Sequence, residues 1–282
     1  MPARLLEGRP VADAIWRDVD ARSAQFAEDA GRQPALALVS GADEAAAAYG
    51  RQIERQFARH GLKTFRASVE APDFLQHLRG LNADPNVDGI LLLTPLPDGV
   101  RPEAAALAID PAKDVDGQHP VNLGRLAQRR QAFAPATARG GLELLKHYEI
   151  PLRGTRTVVI GRSPVVGMPL ALMLIDADAT VMVCHSRSGD LAALARAADL
   201  LCVAIGRAGL VGPDHVKPGA VVVDFGTNPL PDDPNRLVGD VQTDAVMEIA
   251  GAITPVPGGT GPTTVSVLAE HTVLAAELRR AT

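Results

Sequence analysis

Thr157-Val158-Val159-Ile160-Gly161-Arg162-Ser163-Pro164-Val165-Val166-Gly167-Met168-Pro169-Leu170 decides the fold. Four β-branched residues in a row read as a buried strand. A glycine turn follows, and Met168-Pro169-Leu170 opens a helix. Strand, glycine turn and helix together present backbone N–H groups and a positive helix end to a pyrophosphate. Gly161, Arg162, Ser163, Val166 and Gly167 are therefore candidate cofactor contacts. The spacing departs from G-x-G-x-x-G, because Ser163 stands at the second glycine position, and glycines at strand ends also serve as plain turn residues. Three further strand-like runs, Thr180 to Cys184, Leu200 to Ala204 and Ala220 to Asp224, supply the context that favours a nucleotide site.

The next strand selects the nucleotide. An NAD site places an acid about 20 residues on, against the ribose hydroxyls. Here the strand ends Cys184-His185-Ser186-Arg187-Ser188, with no acid before Asp190. His185, Ser186 and Arg187 join the candidate cofactor residues. Ser186, Arg187 and Arg162 suit a 2′-phosphate, which points to NADP. The plain alternative is a solvated loop with an incidental arginine.

Upstream, strand-like and helix-like stretches alternate as well. Ala35 to Ser40, Thr64 to Ala67 and Gly89 to Leu93 read as strands, and Glu44 to His60 and Ala71 to Asn82 as helices. Such alternation predicts parallel strands with helices on both faces, an α/β fold. A helix is predicted from about Ala138 to Glu149, capped by Thr137, and the stretch Thr263 to Arg280 has helical periodicity with no breaker. These readings divide the chain into a first domain over 1–137 and a second over 138–264, with the last helix, 265–282, returning to the first.

Composition narrows the classes. The 282 residues are 46% hydrophobic but only 3% aromatic, so aliphatic side chains must fill the core. Mean hydropathy is +0.07. A net charge of −5 argues against nucleic acid. No apolar run approaches the roughly 18 residues of a membrane helix, and Met1-Pro2-Ala3-Arg4 opens into polar sequence rather than a signal-peptide core. Cys184 and Cys202 sit in apolar runs and read as structural, with no metal site implied. A cytoplasmic protein is expected.

Four segments carry a pattern: Lys113-Asp114-Val115-Asp116-Gly117, Gly161 to Pro169, Cys184 to Ser188, and Thr254-Pro255-Val256-Pro257-Gly258-Gly259-Thr260-Gly261-Pro262-Thr263-Thr264. In order and spacing they resemble the methylenetetrahydrofolate dehydrogenase/cyclohydrolase family. Pro95-Leu96-Pro97 and Asn122-Leu123-Gly124-Arg125-Leu126 extend the likeness over nearly the whole chain. The resemblance implies a two-domain α/β subunit, usually in a homodimer, with a folate-binding catalytic domain and a Rossmann-type NADP-binding domain. It implies that Tyr49 packs on the folate ring system, that Asp116 contacts the pterin, and that Pro257, Gly258, Gly259, Pro262 and Thr263 belong to the tetrahydrofolate site. Tyr49 and Asp116 are the candidate catalytic residues.

Two positions break the family pattern. The lysine four residues after the tyrosine, central to cyclohydrolase chemistry, is Ile53 here, and the glutamine two residues before Pro-Leu-Pro is Leu93. No lysine occurs before Lys63 to replace it. Arg51 and Arg55 lie two residues to either side, about 200° away around a helix, and arginine does not shed a proton near neutral pH. Thr94 would need a bulge to take the glutamine's direction. Ala136 and Ala138 stand where the family usually has Cys and Pro around Thr137. Hydride transfer needs oriented partners rather than a protein acid or base. Hydrolysis of a methenyl bridge needs positioned proton transfer, commonly worth about 10²–10⁴-fold. The sequence therefore predicts an NADP-dependent dehydrogenase of methylenetetrahydrofolate with weak or absent cyclohydrolase activity. An oxidoreductase acting on another one-carbon carrier or pterin, and a non-catalytic folate- or nucleotide-binding paralogue, remain the alternatives.

Overall fold

The computed structural model describes residues 2–230 and 232–280. It falls into two units, one made of residues 13–136 with 265–280 and the other of 2–12 with 137–264. In chain order the elements are β1 (Arg4–Leu5), α1 (Gly8–Ala30), β2 (Ala35–Ser40), α2 (Glu44–Arg59), β3 (Lys63–Ser68), α3 (Ala71–Ala83), β4 (Gly89–Leu92), α4 (Pro102–Ala108), α5 (Pro120–Ala127) and α6 (Ala136–His147). There follow β5 (Arg156–Ile160), α7 (Gly167–Asp176), β6 (Thr180–Cys184), α8 (Leu191–Arg196), β7 (Leu200–Val203), β8 (Val221–Asp224), β9 (Asn228–Leu230), β10 (Asp233–Val238), α9 (Thr243–Met247), β11 (Ala252–Ile253) and α10 (Thr260–Arg280).

In the first unit a parallel sheet runs β3-β2-β4. The central strand β2 is buried along its whole length, which is why it reads as an unbroken apolar run. The edge strand β3 is nowhere fully buried and carries Lys63 and Arg66, charges that suit an edge. Helix α2 starts where the Asp43 carboxylate accepts from Ala46 N at 2.8 Å. It buries Ala46, Gly50, Ile53 and Phe57, spaced three and four apart along one face. Phe74 and Leu78 of α3 pack with Val39, Ile90 and Leu92 in the core.

In the second unit six parallel strands run β1-β11-β8-β7-β5-β6. The chain leaves β5 to one side for β6 and returns to the other side for β7, so the order reverses at β5. Val158, Ile160, Leu201, Val203 and Val222 belong to the core against which α8 and α9 pack Leu191, Leu194 and Met247.

Two sequence expectations are corrected. Residues 2–12 group with the second unit, because Arg4 and Leu5 pair with Ala252 and Ile253 of β11. Helix α6 begins at Ala136, so Thr137 lies inside its first turn and is not its cap. The Asp116 carboxylate accepts from Ala136 N at 3.1 Å instead.

Phe74 is fully buried. Phe74→Ala should lower unfolding free energy by about 3–5 kcal/mol through lost burial and a residual cavity. Denaturant unfolding should show a lower midpoint with an unchanged m-value.

Candidate active site

The candidate residues fall in both units. In the first, Lys113-Asp114-Val115-Asp116-Gly117 follows the sheet edge, with Asp114 bridged to Ile90. The Lys113 amine is buried and donates to the carbonyls of Leu81 and Asp84 at 2.8 and 2.7 Å. Desolvation, helped by Arg279, pushes it down to about 8. Asp114 accepts from Gln118 N, His119 N and the Asn122 amide at 2.8–3.0 Å. Gly117 has φ +59°, and a Cβ there would lie 2.3 Å from the Phe133 carbonyl oxygen. Lys113, Asp114 and Gly117 thus brace the segment and leave Asp116 as its chemically available acid.

Asp116 accepts from the Gln118 amide at 2.7 Å on one oxygen and from Ala136 N on the other. Each oxygen keeps one lone pair. Burial pushes its carboxyl up to about 6, against the two hydrogen bonds. Tyr49, on α2, is 38% exposed. Desolvation of its hydroxyl, and then the charge of Asp116, push the phenol up to about 12, so it stays a neutral donor. Ile53 lies four residues further along α2 and is fully buried, as is Leu93. A Cβ on Gly50 would lie 3.0 Å from the Leu93 side chain, so the helix backbone sits directly against that leucine.

In the second unit the turn after β5 is shaped by two glycines. Gly161 has φ +123°, and a Cβ there would meet the Ala204 carbonyl oxygen at 2.1 Å. A Cβ on Gly167 would meet the Gly161 carbonyl oxygen at 2.2 Å. Ser163 fills the second glycine position with a function: its hydroxyl accepts from Val166 N and Gly167 N at 3.2 and 3.4 Å. After β6, His185 N donates to the Ser188 hydroxyl and Arg187 N to the His185 ring, closing a turn that holds no acid. Arg162, Ser186 and Arg187 are exposed, and among the described residues neither arginine has a carboxylate partner. Missing side chains at the turn, a helix N-terminus and two unpaired cations fit a phosphate-bearing dinucleotide.

The proline–glycine loop also belongs to the second unit. Pro257 and Gly258 are exposed and Pro262 is half-buried. Gly259 and Thr263 are buried. A Cβ on Gly259 would meet the Pro255 carbonyl oxygen at 2.6 Å, and the Thr263 hydroxyl donates to Thr260 O at 2.7 Å. The structure thus gives Gly259 and Thr263 packing work inside the loop and leaves Pro257, Gly258 and Pro262 to face outward.

Comparison with known proteins agrees with both halves. Residues 6–116 match the tetrahydrofolate dehydrogenase/cyclohydrolase catalytic domain, and 135–280 match the NAD(P)-binding domain of the same family. The chain belongs to that family. It is 45% identical over 286 residues to the bifunctional protein FolD of Chloroflexus aggregans, covering 99% of each chain. Among solved structures it resembles the bifunctional FolD dehydrogenase/cyclohydrolase of Campylobacter jejuni, with TM-score 0.93, 38% identity and coverage of 98% and 99%. It resembles equally the Trypanosoma brucei FolD complexed with NADP cofactor and inhibitor, with TM-score 0.93, 35% identity and full coverage of both chains. No helix among the described residues is long and apolar enough to cross a membrane.

Sequence reasoning missed Gln118, Asp224 and Asp240. Asp224 is buried and accepts from Gly226 N, Asp240 N and Val241 N at 2.8–3.1 Å; burial pushes its carboxyl up to about 6. Its signal was an acid placed directly after three valines at the end of a buried strand.

Gly167→Ala should weaken dinucleotide binding by roughly tenfold or more, since its Cβ meets backbone that has no room to shift. Titration of the variant with NADP⁺ reads the effect.

Proposed function

We propose that the protein is an NADP-dependent methylenetetrahydrofolate dehydrogenase that forms methenyltetrahydrofolate and hydrolyses it weakly or not at all. One observation supports this reading: Ile53 and Leu93, at the two positions tied to hydrolysis, are both fully buried aliphatic side chains. The resemblance puts a lysine and a glutamine at those two positions. Bound NADP⁺ supplies the hydride acceptor. Everything else the reaction asks of the protein is orientation and charge.

Asp116 holds the pterin. Its two remaining lone pairs suit two N–H donors, the amino group and the adjacent ring N–H. Tyr49 offers an exposed ring face for stacking and a hydroxyl that stays protonated. The family resemblance assigns Pro257, Gly258, Gly259, Pro262 and Thr263 to the tetrahydrofolate contacts. Gly161, Ser163, Val166 and Gly167 receive the pyrophosphate, with Arg162, His185, Ser186 and Arg187 around the 2′-phosphate. Hydrolysis would require water to lose a proton and a ring nitrogen to gain one. Neither Ile53 nor Leu93 can move a proton. We also place the protein in the cytoplasm as a homodimer, as the family resemblance implies.

Cofactor choice tests the phosphate contacts. Arg187→Ala or Arg162→Ala should raise KM for NADP⁺ by roughly 10- to 150-fold, the worth of one charge-assisted bond, and leave that for NAD⁺ nearly unchanged. Equal use of NAD⁺ and NADP⁺ by the wild type would overturn the assignment.

The pH profile tests Asp116. The carboxylate, not the acid, accepts both pterin N–H groups. Folate KM should therefore rise as pH falls through about 6, approaching tenfold per pH unit below it. Asp116→Asn should show a raised KM without that slope, and NADP⁺ binding should be unaffected.

A further inference from the structure

The reversal of strand order at β5 places a crevice at the carboxyl ends of β5 and β7. One wall is the Gly161–Gly167 turn. The other is the turn that follows β7, Ala204-Ile205-Gly206-Arg207. The two walls touch: Ala204 N donates to Ile160 O at 2.8 Å, and the Ala204 carbonyl oxygen occupies the space a Gly161 Cβ would need.

The second wall is held from behind by one carboxylate. Ile205 N and Gly206 N donate to one oxygen of Asp240 at 2.6 and 2.9 Å, and Arg207 N donates to the other at 2.8 Å. The Asn228 amide donates to that second oxygen at 2.9 Å. Three successive N–H groups converging on an anion form a nest, a geometry that elsewhere binds ligand phosphates. Here the protein fills the nest with its own side chain. Asp240 is fully buried, and among the described residues no Lys or Arg pairs with it. Four N–H donors on two oxygens account for its lone pairs.

Asp240 is itself anchored. Its own N–H, with those of Gly226 and Val241, donates to Asp224. A Cβ at Gly226 would lie 2.4 Å from the Asp240 carboxylate, and one at Gly239 would lie 1.9 Å from that of Asp224, so glycine lets backbone close around both acids. Asp224 then reaches the proline–glycine loop through its backbone. Asp224 N donates to the Thr254 hydroxyl at 2.8 Å, and the Thr260 hydroxyl donates to Asp224 O at 3.4 Å. A continuous chain of hydrogen bonds thus runs from the crevice wall to the loop that carries Pro257 and Gly258.

We propose that Asp240, backed by Asp224, is a positioning residue for the dinucleotide: it sets the shape of the second crevice wall. The assignment rests on the crevice being the NADP site. It touches no reacting atom; it acts through the Ile205–Arg207 turn. The amides of that turn are committed inward to Asp240 and are not free to hold the pyrophosphate.

Asp240→Asn in the full-length protein tests this. An amide keeps one acceptor oxygen and turns two N–H donors toward backbone N–H groups. KM and Kd for NADP⁺ should each rise about tenfold or more, with folate KM within about twofold of wild type and kcat reduced by less than the NADP⁺ KM rises. Unchanged NADP⁺ affinity in a folded variant would overturn the proposal. So would an equal loss of all kinetic parameters in step with the fraction of folded protein, because that marks a purely structural acid. Where Asp240→Asn does not fold, Asn228→Ala removes one donor from the same carboxylate. It should raise NADP⁺ KM about two- to threefold and leave folate KM alone, and no rise would count against Asp240. A wild-type protein that binds neither NADP⁺ nor NAD⁺ in titration overturns the cofactor reading and this proposal together, whereas normal wild-type binding with an unaffected Asp240→Asn variant overturns this proposal alone.

Discussion

A buried carboxylate that takes backbone N–H groups instead of a cation is the interaction on which both units depend. Removing an ionised carboxylate from water costs several kcal/mol, and a neutral donor set must offset that at close range. Asp114, Asp116, Asp224 and Asp240 each accept from main-chain N–H groups at 2.6–3.1 Å. Each therefore fixes a stretch of irregular backbone that has no helix or sheet to order it. Asp114 and Asp116 do so for the segment beside β4 and the start of α6. Asp224 and Asp240 do so for the turns at the ends of β7 and β8. Burial outweighs the donor set at Asp114, Asp116 and Asp224, whose carboxyls are pushed up, the last two to about 6.

The proposed function separates orientation from proton transfer. Hydride transfer asks for two bound molecules held in a fixed geometry, and the glycine turn, the arginines and the braced loop are suited to that. Methenyl hydrolysis asks for a group that gains and loses a proton at the reacting carbon. At the two positions the resemblance assigns to that chemistry, the side chains are Ile53 and Leu93, both fully buried, with the α2 backbone at Gly50 resting against Leu93. Matched apolar replacement is consistent with a pocket repacked as a unit, because a lone lysine or glutamine among aliphatic neighbours would be desolvated without a partner.

What could be read beforehand follows from where the information lies along the chain. Ala35–Ser40 and Arg156–Ile160 announce themselves because strands covered on both faces need continuous apolar runs. The β5–α7 turn is legible because its glycines and its helix are adjacent in sequence. The cap of α6 was not, since its acceptor, Asp116, lies 20 residues upstream of Ala136. The pairing of Arg4 and Leu5 with β11 was not, because two residues carry no periodicity. Helix α1 has no acid in its first turn to mark its start, and the β9–β10 hairpin is built from proline-containing sequence that reads as loop. Asp224 and Asp240 were illegible for a related reason: an acid's value as an anchor depends on amides gathered from several loops, and no local pattern records them.

The central claim is that hydride transfer and hydrolysis have been separated in this chain. The direct measurement is to supply purified wild-type protein with methylenetetrahydrofolate and NADP⁺ and to follow NADPH and methenyltetrahydrofolate separately. The two should form in equal amounts, and methenyltetrahydrofolate should then decay at the rate seen in the same buffer without protein. NADPH formation with methenyl hydrolysis as fast as dehydrogenase turnover would contradict the account and assign the proton transfers to a residue other than those at positions 53 and 93.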